Sequence, residues 1–106
     1  MGTKARPKPE RLPEKLRQIR LTLGLTQMEM PARLNAEGVI RHARISDYEQ
    51  GIREPSLMVL LSYARLAGVH MEALVDDELD IPDKLPGTTQ HENIKRQYTP
   101  RRKAKR

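Results

Sequence analysis

Leu25-Thr26-Gln27, then Ile45-Ser46-Asp47-Tyr48-Glu49-Gln50-Gly51, then Arg53-Glu54-Pro55-Ser56 follow one another between positions 25 and 56. Thr26 is a helix-capping residue, and Glu29 three positions on completes a capping box, so a helix is expected to start there. Ile45 and Tyr48 recur at helical spacing ahead of Gly51, a glycine stop. Ser56 then caps another helix after a loop that carries Arg53. The stretch therefore reads as helix, turn, second helix, glycine stop and basic loop, an order of elements able to project one helix into a DNA major groove.

Working outward, Pro13 suits the first turn of a preceding helix, in which Leu12, Leu16, Ile19 and Leu23 form one apolar stripe ended by Gly24. The second helix should bury Met30 and Leu34, with Met28 undecided. Pro31 lies past its first turn and should bend or shorten it, and Gly38 is the expected stop. The third helix, about residues 41–50, has no Ser, Thr, Asp or Asn between Val39 and Arg44 to cap its start. Leu57, Leu60, Leu61 and Ala64 are the expected inward face of a fourth helix ending at Gly68, and Met71 to Val75 a short fifth that buries Leu74. No internal repeat is present.

The chain has 106 residues, 37% of them hydrophobic, with no Phe or Trp and three Tyr, which limits it to one small core of Leu, Ile, Val and Met. There is no cysteine, so disulfides, thiolate metal sites and cysteine nucleophiles are excluded. No run approaches the roughly 18 apolar residues of a membrane span, and the charged, proline-bearing N-terminus does not read as an export signal. A cytoplasmic protein without a membrane partner is the expectation.

The net charge of +6 is unevenly spread. Lys4, Arg6, Lys8 and Arg11 against Glu10 give residues 1–11 a charge of +3, and seven cations against Glu92 give residues 92–106 a charge of +6, which leaves −3 on the centre. Asp76, Asp77, Glu78, Asp80 and Asp83 contribute to that acidic centre. The expected division is a flexible basic arm over 1–11, a folded domain over 12–76, and an acidic linker followed by a disordered basic tail over 77–106. The tail run Arg101-Arg102-Lys103-Ala104-Lys105-Arg106 is either solvated or supplies long-range attraction to phosphates that the centre lacks.

The joint spacing of Leu25-Thr26-Gln27, Ile45-Ser46, Tyr48-Glu49, Gly51, Glu54-Pro55-Ser56 and Leu66-Ala67-Gly68-Val69 resembles the lambda-repressor and Cro family of helix-turn-helix domains, also called the XRE family, over about residues 12–76. The resemblance implies an all-α, compact five-helix DNA-binding domain with flexible basic arms. Two departures stand out. The interval from Gln27 to Ile45 is about four residues longer than the family spacing, which enlarges the turn before the reading helix, and Pro31 replaces a small helix former.

By that resemblance, Gln27 holds a phosphate at the start of helix two and braces the reading helix, where free backbone N–H groups also favour an anion. Arg41, His42, Ala43, Arg44, Ser46 and Asp47 match or neighbour base-edge and phosphate positions. Arg44 suits guanine O6 and N7, Ala43 a thymine methyl, His42 guanine or phosphate, and Asp47 cytosine N4. Each of them can equally touch only phosphate or solvent. Gln50 and Arg53 match the loop that meets the DNA backbone. Arg20 and Glu49 take the positions of the family's internal ion pair.

The implied protein is a transcriptional repressor that binds double-stranded DNA as a homodimer on a palindromic operator and needs no cofactor. No nucleophile-base set or glycine-rich phosphate loop suggests an enzyme. His42, His70 and His91 do not form a metal-ligand spacing. The alternatives are an antitoxin, whose acidic segment and tail bind a partner protein while it autoregulates its operon, and a general nucleic-acid-binding protein that relies on its arms.

Overall fold

Helix α1 (Leu12–Thr22) carries Pro13 in its first turn and has no capping side chain of its own at Arg11. The backbone that leads into it is instead held from 66 and 67 residues away: the Asp77 carboxylate accepts from Glu10 N at 2.9 Å and from N of the N-cap residue Arg11 at 3.0 Å. These contacts appear in a computed structural model that describes residues 8–86. Leu12, Leu16 and Ile19 are buried along one face, Leu23 is half-buried, and the left-handed Gly24 ends the helix.

Both arms of the Thr26–Glu29 box close, with Thr26 N donating to Glu29 Oε1 at 2.8 Å and Glu29 N to Thr26 Oγ1 at 3.2 Å. The α-helix that follows is nevertheless short. Helix α2 spans Met30–Arg33 only: Pro31 has no N–H to bond back to residue 27, so the α-helical ladder starts late, with Pro31 in its first turn. The stop also differs from the expected Gly38. Asn35 takes φ 59°, and Ala36 N reaches back to Pro31 O at 2.8 Å, closing the helix end three residues earlier. Asn tolerates the left-handed region better than most residues. Met30, Pro31 and Leu34 are buried, whereas Met28 is exposed.

Helix α3 (His42–Gln50) starts from an extended Arg41 with no side-chain cap and ends at Gly51, φ 78°. Helix α4 (Leu57–Ala67) is capped by Ser56, whose hydroxyl accepts from Val59 N at 3.2 Å. Its inward stripe is Leu60, Tyr63, Ala64 and Ala67. Leu57, expected inward, is 74% exposed: on the first turn it opens onto a surface groove with Ile52 and Val75 instead of reaching the core. Helix α5 (Met71–Val75) buries Leu74 completely. No strand forms among the described residues, and none of their helices is long and apolar enough to cross a membrane.

The packed body runs past the expected boundary at residue 76. Ile81 and Leu85 are buried, and Gln18 Nε2 donates to Ile81 O at 3.2 Å. Arg11 binds Asp77 O, Leu79 O and the Asp80 carboxylate, so residues 10–11 and 77–80 lock together instead of acting as arm and linker. Lys15 is fully buried, and its Nζ donates to Ala73 O and Asp76 O, each at 2.8 Å, at the carboxyl end of α5 where a cation is favoured. Loss of water around this ammonium, with Arg11 nearby, holds its pKa below the ordinary lysine value. Helix α1 thus lies against α3, α4 and α5, while α2 packs on α3. The expected basic tail lies outside the described residues.

Candidate nucleic-acid interface

Two side chains seat the inner face of α3: Ile45 is fully buried and Tyr48 nearly so. A third contact fixes its rotation. Arg20 on α1 donates from Nε to Glu49 Oε2 at 2.7 Å and from Nη2 to Glu49 Oε1 at 2.9 Å, a side-on pair in which the Glu49 side chain is 3% exposed. The third guanidinium nitrogen, Nη1, donates to Leu25 O at 2.9 Å, just ahead of the Thr26 turn. Hydrogen bonding to Glu49 raises the guanidinium pKa above its ordinary value, outweighing the opposing effect of burial.

Gln27 joins the same cluster, its Nε2 donating to Glu49 Oε1 at 3.3 Å. One carboxylate therefore connects α1, the turn before α2, and α3. Tyr63 lies in the field of this pair. Its hydroxyl is buried with no hydrogen-bond partner among the described residues, and burial, with Glu49 and Tyr48 nearby, pushes the phenol pKa up.

The outer side of α3 divides in two. Arg41, His42, Ala43 and Arg44, at its amino end, are exposed. Toward its carboxyl end the polar groups are tied to one another: Gln50 Nε2 donates to Ser46 Oγ at 2.7 Å, and Arg53 Nε donates to Asp47 Oδ2 at 3.3 Å. Ile52 N also donates to Asp47 O at 2.9 Å, which wraps the loop back onto the helix end. Ser46 and Asp47 are half-buried, and the Arg53 side chain is 55% exposed. Arg44 and Arg53 line one surface groove together with Lys8.

The structure thus gathers Gln27, Arg20 and Glu49 into a brace behind α3 and presents Arg41 to Arg44 in front of it. The Asp47 carboxylate does not stand free, since Arg53 holds it. Sequence reasoning missed Lys15, although its spacing from Leu12 and Ile19 already puts it on the buried face of α1. A lysine at such a position reads as a solvated edge residue. It also missed Asp77 as the distant cap of α1, for which local sequence carries no signal.

A family model described as helix-turn-helix matches residues 16–74, more than half of the chain and all five helices except the first turn of α1 and the last residue of α5. No curated protein and no solved structure matches the chain. The match covers the Arg20–Glu49 brace, the exposed amino end of α3 and the cap of α4, and the chain belongs to the helix-turn-helix family of lambda-repressor type, a family of DNA-binding transcription regulators.

Proposed function

We propose that the protein is a cytoplasmic transcriptional repressor that binds a palindromic operator as a homodimer, each protomer laying α3 in a major groove one helical turn from the other. The observation that carries this reading is the two-sidedness of α3. Its inner face is locked by Ile45, Tyr48 and Glu49, and its amino end offers Arg41, His42, Ala43 and Arg44 to a ligand. A rigid rod with exposed donors at its leading end can read base edges without ordering itself first.

Within this reading Arg44 grips a guanine, Ala43 meets a thymine methyl, and Arg41 and His42 bind phosphate or base according to the tilt of the rod. Gln27, Ser46, Gln50 and Arg53 serve the backbone contacts. Asp47 acts through Arg53: it occupies Nε and leaves the outer guanidinium nitrogens for a phosphate. Occupancy of the operator blocks transcription. The basic residues 92–106 supply non-specific attraction, so removing the chain after Pro86 flattens the dependence of log affinity on log salt.

Selection of bound duplexes from a random pool by the full chain tests the reading. Two half-sites centred about 10 base pairs apart, or a multiple of that, support it. Equal affinity for selected and random duplex at physiological salt sinks it in favour of a general binder. The antitoxin alternative, with a protein partner on the acidic segment, is less favoured because Asp77 and Asp80 already serve Glu10 and Arg11.

A further inference from the structure

The turn between α2 and α3 is built to hold its shape. Ala36 at one end is buried, and Ile40 at the other packs against the core. Between them the backbone folds on itself, the N–H groups of Val39 and Ile40 both donating to Ala36 O at 2.9 and 3.0 Å, and Glu37 forms a bridge with Ile40. Gly38 reverses the chain at φ 85°, where a side-chain-bearing residue would be strained.

What this turn lifts outward is a β-branched hydrocarbon. Val39 is 79% exposed although both anchors of its turn point inward. It stands three residues before His42, which puts its Cα within about 10 Å of the first turn of α3, the end that leads into the groove. Glu37 is exposed two residues earlier, and a carboxylate there disfavours seating this turn on phosphates. A major groove offers an apolar side chain one partner, the C5 methyl of thymine.

We infer that Val39 is a specificity-determining residue that packs on a thymine methyl in each half-site, beside the base contacts of Arg41 to Arg44. The inference rests on the reading of α3 as the element that enters the groove. The enlarged turn then extends the reading surface beyond the helix itself.

Thymine-to-uracil exchange, which removes only the methyl, is made one position at a time in the selected operator and measured with the full chain. Besides the thymine assigned to Ala43, the wild-type protein should lose about fourfold in affinity at one further thymine per half-site, the worth of burying one methyl group. Val39→Ala should show that loss on the unmodified operator and no further loss on exchange at that position. Val39→Ser, which carries no methyl, should give the same readout if alanine loosens the turn. If no thymine beyond Ala43's responds, or if every responding thymine keeps its full effect in both variants, the assignment is overturned while α3 remains the reader. If no operator is selected at all, the reading of α3 fails and takes this inference with it.

Discussion

The Arg20 guanidinium and the Glu49 carboxylate meet side-on, at 2.7 and 2.9 Å, with the side chains 11% and 3% exposed. Removing one member leaves the other charged, buried and unpaired. Glu49→Ala is therefore expected to cost about 3 kcal/mol in denaturant unfolding. The double variant Arg20→Ala/Glu49→Ala should cost less than the sum of the singles. Strictly additive losses would show that the pair does not couple α1 to α3.

Asp77 holds the amino end of α1 through the N–H groups of Arg11 and Glu10, and those bonds keep its carboxyl below the usual carboxylate range. The unfolded chain then binds more protons in the interval between the two values, so this contribution is present at neutral pH and is lost as pH falls through the lowered folded value. Thermal midpoints followed from pH 7 into the acid range should drop less steeply in Asp77→Asn than in the wild type. Parallel curves would disprove the cap.

Tyr63 carries a buried hydroxyl with no partner among the described residues. Deleting an unpaired polar atom removes a desolvation cost, so Tyr63→Phe is expected to leave stability unchanged or raise it by about 1 kcal/mol. A marked loss of stability would mean that the hydroxyl is bonded after all, for instance to an ordered water.

Arg53 and Asp47 are joined at 3.3 Å at the carboxyl end of α3. Arg53→Ala should weaken binding to all duplexes alike and reduce the salt slope by about 1. Asp47→Ala should act in the same direction and also without sequence preference, since it acts through Arg53. If competition among operator variants shows a change confined to one base pair for Asp47→Ala, then Asp47 reads cytosine directly.

Arg44 is exposed near the leading end of α3. Arg44→Ala should relax discrimination at one guanine per half-site by about 1–3 kcal/mol while leaving other positions unaltered. A uniform loss would place Arg44 on phosphate.

Much of the fold was legible in local signals, because caps, glycine stops and the 3.6-residue period act over a few neighbours. Pro13, Gly24, Gly51, Ser56 and Gly68 mark helix ends where they are found. The family spacing also implies the pairing of Arg20 with Glu49 that the fold contains. The exposed positions Arg41 to Arg44 could be inferred because Ile45 and Tyr48 had to point the other way.

Neighbouring residues alone set which segments are helical, where most of them stop and which face of α3 is apolar. The remainder came from packing. Only the folded chain brings Asp77 to the head of α1, Lys15 to the tail of α5, and Ile81 and Leu85 into a core that local patterning ended at residue 76. It also leaves Leu57 and Val39 outside, although their hydropathy argues for burial. The reason is that capping and periodicity are energies of adjacent residues, whereas burial and long-range hydrogen bonds depend on which surfaces remain open once α1, α3 and α4 have packed.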